Sequence, residues 1–167
     1  MNSLVTAIHA KIDEQIERTI HLIRLVPDAR WAPPIEGAWA FGHLQGHLLD
    51  CLAGVCAVLK AARPLELAHF ADLQARPVNF ACGVNEARER IEVYRARIDE
   101  GFAMLCDEDL DRRLPTVFVP AGESILTLLL GNLEHIVNHK CQLFLYLKLA
   151  GVAAGTADLY QFRGQQT

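Results

Sequence analysis

Lysine and arginine never gather into a block or stripe in this chain. Of 167 residues, 16 are basic and 20 acidic, for a formal net charge of −4. Without a basic footprint, nucleic acid is not an expected partner. The C-x-x-C pair is also absent. Five cysteines occur, Cys51, Cys56, Cys82, Cys106 and Cys141, and an odd count without paired spacing argues against a disulfide framework or a zinc ribbon. Several fall at helical apolar positions, where a free thiol behaves as a small hydrophobe, so a reducing cytoplasm is the expected setting. The start, MNSLVTAIHAKIDEQIERT, lacks the basic opening and continuous apolar run of a signal peptide. The apolar run ILTLLLGNL, 125–133, is too short to span a bilayer, and Glu134, His135, His139 and Lys140 interrupt its extension. No membrane association is expected. Sustained alternation of apolar and polar residues, internal repeats and low-complexity segments are missing too.

What the chain does have is apolar residues at helical spacing. Hydrophobic residues make up 51% and charged residues 22%, which excludes disorder, and the length suits a single domain over 1–167 with a full core. A first helix is predicted from about Ser3 to Val26, with Ile8, Ile12, Ile16, Ile20 and Ile23 on one face, Ser3 as N-cap and Pro27 as stop. The Pro-rich stretch PDARWAPPIEG, 27–37, links it to a second helix from about Ala38 to Ala62. There Phe41, Leu44, Leu48, Leu52, Val55 and Leu59 line one face. After a long connection, 64–84, a third helix is expected from Asn85, as N-cap, to Cys106, with Ala87, Ile91, Tyr94, Ile98, Phe102 and Leu105 as its stripe. A short β-like TVFV sits between Pro115 and Pro120. The fourth helix begins near Glu123 or Ser124 and ends at Gly151, a natural residue just past a helix end. Four long helices imply an all-α four-helix bundle. The connection between helices 2 and 3 exceeds what a tight hairpin needs. It can cross the length of the bundle and leave those two helices parallel, giving up-down-down-up order.

Seven histidines are present. His9, His21 and His69 read as surface or hydrogen-bonded residues. His135 and His139 stand four apart on helix 4, and so do His43 and His47 on helix 2. Residues at i and i+4 share a helix face, about 6 Å apart at Cβ, so two neutral imidazoles there can hold one divalent cation. The position after His135 is Ile136, so this is not H-E-x-x-H and lacks that motif's glutamate base. A third ligand has to come from another helix, and either His43 or His47 can supply it. Three imidazoles with open coordination form a catalytic type of site. The alternative is two satisfied core histidines. A di-iron carboxylate centre is rejected, because the one E-x-x-H, Glu66–His69, falls in a connection rather than on a bundle helix.

Two stretches carry a family likeness. WAPPIEGAWAFGHLQGHLLD, 31–50, and HIVNHKCQLFLYLKLAGV, 135–152, resemble the DinB/YfiT-like four-helix bundles. Members of that family show a Trp-x-Pro stretch, then a Trp at the start of helix 2 with a ligand His eight residues on. Trp39 plus eight is His47, so the resemblance selects His47 over His43. The second stretch is similar to the family's H-x-x-x-H-R-G-Q-x-x-x-Y-L-R-L-x-G ending. His135 and His139 take the ligand positions, and Gln142, Tyr146, Leu147 and Gly151 fit. Lys140 stands where Arg is usual and Cys141 where Gly is usual, which removes no ligand.

The resemblance implies a divalent metal, commonly nickel or zinc, bound by His47, His135 and His139 with water in the remaining positions. It also implies a homodimer. Some relatives are thiol-dependent S-transferases using bacillithiol or mycothiol, and others are maleylpyruvate isomerases. The expected function is therefore metal-dependent transferase, hydrolase or isomerase chemistry on a small molecule, with a low-molecular-weight thiol as a candidate cofactor. Two rivals remain: a non-enzymatic metal- or ligand-binding sensor or stress protein, and a metal-free structural bundle. His43 is a candidate general base, one turn from His47. Cys51 and Cys141 are expected to fill core space, the alternative of a thiolate role requiring an electropositive, partly exposed setting.

Overall fold

The computed structural model describes residues 3–27, 36–74, 77–116 and 119–160. Within them the chain forms α1 (Leu4–Arg24), α2 (Phe41–Ala62), α3 (Val84–Phe102), α4 (Ile125–Leu149) and a single-turn α5 (Thr156–Leu159). Two short 3-10 segments, Ala68–Gln74 and Asp107–Asp109, lie in the connections. A two-residue antiparallel pair joins β1 (Arg113–Leu114) to β2 (Glu123–Ser124).

The caps explain most of the boundaries. Ser3 accepts a hydrogen bond from the Thr6 amide at 3.1 Å, and Ser124 accepts one from the Thr127 amide at 3.0 Å, each satisfying an N–H that lacks a helical partner. At the far end of α4, Gly151 takes φ +78, which an L side chain rarely adopts. Its amide donates to the Lys148 carbonyl and the Val152 amide to the Leu147 carbonyl, the paired bonds of a Schellman turn. Three expected limits move. Helix α2 starts at Phe41 rather than Ala38, because Ala40 is extended and serves as N-cap without a side-chain bond. Helix α3 is capped by Gly83 rather than Asn85 and stops at Phe102 rather than Cys106. Beyond it the Cys106 amide is taken by the Asp109 carboxylate at 3.0 Å, which starts a separate 3-10 turn. Pairing near the expected TVFV strand falls on its flanks, at Arg113–Leu114 and Glu123–Ser124. Val117 and Phe118 lie outside the described residues, as does the Trp31–Ile35 part of the first linker.

Contacts between helices set their directions. Along α1 and α3, His9 meets Asp99 while Asp13 and Glu17 meet Arg95, so these helices run antiparallel. Cys56 faces Tyr94 and Leu59 lies against Gly101, so α2 and α3 run parallel. His47 faces His139 while Gly54 faces Asn132, so α2 and α4 run antiparallel. The order is up-down-down-up. The connection after α2 makes this possible: it buries Leu67 and Phe70, then returns to the start of α2. There the Cys82 amide donates to the Gly42 carbonyl at 3.1 Å, and Gln45 Nε2 donates to the Cys82 carbonyl at 3.0 Å.

The expected apolar stripes of α1, α2 and α3 are buried from end to end, except that Leu105, beyond the end of α3, is half-buried. Helix α2, packed on both α3 and α4, buries Leu44, Leu48, Leu49, Leu52, Val55 and Leu59. Among the described residues α2 alone is long and apolar enough to cross a membrane, and most of it is buried inside the bundle. All five cysteines are free thiols. Lys140, 2% exposed, is an exception to the apolar interior. Its Nζ donates to Gln15 Oε1 at 2.7 Å, joining α4 to α1, and burial holds its pKa below the usual lysine range.

Truncating a filled core position on α4 leaves a cavity. Leu143→Ala, at a fully buried site, is expected to cost about 2–5 kcal/mol in urea unfolding. Val93→Ala, on the exposed side of α3, should stay within about 0.5 kcal/mol of the parent. Equal losses for the two would contradict the packing described.

Candidate metal centre

Antiparallel packing of α2 on α4 brings three imidazoles to one point. His47 Nε2 lies 3.0 Å from His139 Nε2 and 3.2 Å from His135 Nε2. Gly54 faces Asn132 two turns along the same contact, where a Cβ would push the Asn132 carboxamide aside. His135 and His139, one turn apart on α4, present their rings to His47 from the same side, with centroids 4.8 Å from each other. His43 is exposed and lies outside this group. His9, His21 and His69 pair with the carboxylates of Asp99, Asp158 and Glu100, away from this cluster.

Each of two rings is oriented from behind. His47 donates Nδ1–H to Asn79 Oδ1 at 2.7 Å, and His139 donates Nδ1–H to Gln142 Oε1 at 2.8 Å. Gln142 Nε2 donates in turn to the Tyr146 hydroxyl at 3.1 Å, which also accepts the Trp39 amide at 3.2 Å. This network assigns the protons to Nδ1 and leaves the Nε2 atoms of both rings as bare lone pairs. Two lone pairs 3.0 Å apart repel unless a cation lies between them. A proton is a poor candidate, because burial and the neighbouring imidazoles hold the pKa values of His135 and His139 below the ordinary histidine range. Neutral histidines are the form that binds metals.

The spacing fits a shared ion. Nitrogens bound at about 2.1 Å to one centre, about 90–100° apart, stand roughly 3.0–3.2 Å from each other. An ion held at such angles would be bound on one side, leaving its other side to other ligands. Cys51, on the same face of α2 as His47, brings its Sγ into a group whose donor atoms all lie within 4.8 Å of one another. Core filling was its favoured role, and it is buried. Its thiol donates to the His47 carbonyl at 3.2 Å, and burial, aided by the charge of Asp50, pushes its pKa up to about 12.

Asn79 was missed by sequence reasoning. It sits in the long connection with φ +58, a left-handed conformation that asparagine tolerates better than most residues. Its amide donates to Asp50 Oδ2 at 2.6 Å while its side chain holds His47, so one residue clips the loop to α2 at both points. Gly46 allows the loop this close, since a Cβ there would strike the Phe80 carbonyl. No sequence spacing links positions 47 and 79. Trp39 closes one side, with its ring centroid 5.1 Å from His47 and 6.3 Å from His139.

Comparisons with known proteins agree with this architecture. A DinB-like protein from Bacillus subtilis is similar in structure, with a TM-score of 0.67 at 18% identity, covering 89% of this chain and 94% of that one. A mycothiol-dependent maleylpyruvate isomerase shares the fold more loosely, with a TM-score of 0.54 at 14% identity, covering 96% of this chain and 68% of that one. No curated protein matches the sequence. The family model of the DinB superfamily matches residues 11–143, which include His47, His135 and His139, and the chain belongs to that superfamily.

Proposed function

We propose that the chain, as one domain over 1–167, binds a divalent metal ion through His47, His135 and His139 and acts as a metal-dependent enzyme on a small molecule. The observation that carries this reading is the 3.0 Å contact between two Nε2 atoms whose protons are committed at Nδ1. A bound metal supplies a Lewis acid that lowers the pKa of a thiol or water and polarises a carbonyl oxygen. The protein's part is orientation. Asn79 and Gln142 fix the two rings, Trp39 screens the site from solvent, and the uncovered side leaves room for substrate. Imidazole suits zinc, nickel, copper and iron alike; family likeness favours nickel or zinc. The thiol dependence of the maleylpyruvate isomerase that shares the fold supports a low-molecular-weight thiol as co-substrate and transferase or isomerase chemistry. Assembly as a homodimer in a reducing cytoplasm completes the proposal.

Elemental analysis of protein purified without a histidine tag tests the metal directly, with about one equivalent expected. His47→Ala should abolish stoichiometric metal while far-ultraviolet circular dichroism stays near that of the parent; unchanged metal content would sink the assignment. Asn79→Ala should weaken metal affinity about 10- to 100-fold, since it frees the ring that His47 presents. A screen of low-molecular-weight thiols with electrophilic substrates tests the enzymatic part, and turnover requiring both thiol and metal is the expected result.

The histidine pKa directions set a pH dependence. Folded values of His135 and His139 are depressed below 6.5, so the unfolded chain binds more protons as pH falls through that value. Their contribution to the metal-free protein is present above about pH 6.5 and lost below it, and protons compete with the metal over the same window. Thermal midpoints and metal affinity should both fall between about pH 6.5 and 5. Metal affinity that stays flat across that range would contradict ligation by neutral imidazoles.

A further inference from the structure

Far from the histidines, a cavity of about 600 Å³ opens where the β1–β2 hairpin overhangs α2 and α4. Ala57 and Val58 of α2, Leu128 of α4, and Leu114 and Val119 of the hairpin wall it. Small side chains make the space: Ala57 and Ala61 stand four apart on one face of α2, so that face offers little bulk. Val58 lies eleven residues beyond His47, about 16 Å of helix rise. Asn132, whose Oδ1 lies against Gly54, stands between this cavity and the metal centre.

We propose that this cavity is a second small-molecule site, separate from the metal centre, and that its ligand is an amine with an aliphatic body and a cationic head held by Glu123. The lining selects both halves. Its volume is that of an ordinary ligand pocket, and its aliphatic walls gain from burying methylene groups. Glu123 is the one charged side chain in the lining, and among the described residues its carboxylate has no hydrogen bond or ion pair. Arg113, across the hairpin, instead directs Nε and Nη2 to the Gly122 carbonyl at 3.1 and 2.7 Å. The other polar groups of the lining are engaged: Asn132 Nδ2 donates to the Leu128 carbonyl at 2.8 Å, and the Thr116 hydroxyl accepts the Val119 amide at 2.9 Å. The open group is therefore an anionic acceptor beside apolar walls, which favours an ammonium over an alcohol or an acid.

Hexylamine is a suitable probe, with 1-hexanol lacking the charge, hexanoate reversing it and propylamine lacking half of the body. Isothermal titration reads affinity, and backbone amide shifts of isotope-labelled protein locate the site. Hexylamine should bind at least about fivefold tighter than each control, with shifts gathered at Leu114, Val119 and Leu128 rather than around His47. Glu123→Gln should weaken hexylamine about fivefold and leave 1-hexanol unchanged. Ala57→Leu, which fills the cavity from a half-buried position, should weaken both. Metal content should be the same in the parent and both variants, so the site stands or falls apart from the metal reading. Hexylamine binding that is no tighter than that of 1-hexanol, or that ignores either substitution, overturns the proposal. Amine affinity that falls as protein concentration rises, with sedimentation showing a dimer that Ala57→Leu breaks, would assign the cavity to a second copy of the chain and overturn it too.

Discussion

Two imidazole lone pairs directed at each other across 3.0 Å are the constraint around which this bundle is arranged. Each ring is prevented from turning away by an acceptor behind it, Asn79 for His47 and Gln142 for His139. A polar cluster held this firmly would be costly to keep if nothing occupied the point where it converges. The same locking is what a metal ligand requires, because an oriented ring with a fixed tautomer loses little freedom on binding.

The topology serves that point. Because the connection after α2 travels back along the bundle, α2 and α3 run parallel and α4 enters antiparallel to α2. His47, in the second turn of α2, thus meets the middle of α4, where His135 and His139 lie. The returning connection does more than change direction. It passes the start of α2 closely enough to deliver Asn79 to His47 and to Asp50. Helix α4 divides its surface between two tasks. Ile136, Leu143 and Leu147 face the core, and Lys140 reaches Gln15 on α1. His135, His139 and Gln142 form the adjoining stripe toward α2 and Trp39.

Helical spacing made the bundle legible, because burial on one face forces apolar residues to recur with the helix period. The i, i+4 pair on α4 was legible for the same reason. Choosing between His43 and His47 was not, since both stand on the same helix one turn apart and differ only in rotation about its axis. The likeness around Trp39 made that choice; in the structure His47 stands in the cluster and His43 on a cavity wall. Asn79 left no signal, because a loop residue 32 positions from its partner owes its role to tertiary closure. The end of α3 was overrun because Leu105 continues the apolar period after the helix has stopped. The break is set by the Asp109 carboxylate capturing the Cys106 amide, which periodicity does not register.

Cys51 bears on what kind of centre this is. Its sulfur belongs to the same cluster by distance, and a thiolate there would complete four protein donors, the pattern of a closed structural zinc site. Without a cation the thiol is strongly disposed to stay protonated, with a pKa near 12, and its proton is given to the His47 carbonyl one turn back. Ligation would require deprotonating that thiol and breaking its bond, whereas His47 Nε2 already stands 3.0 Å from His139 Nε2 and 3.2 Å from His135 Nε2. The donor set ready without rearrangement is therefore three neutral nitrogens, and three nitrogens leave positions for exchangeable ligands. Openness, rather than the identity of the ion, is the property that would separate a reactive centre from a structural staple, and Cys51 is the residue whose protonation decides it.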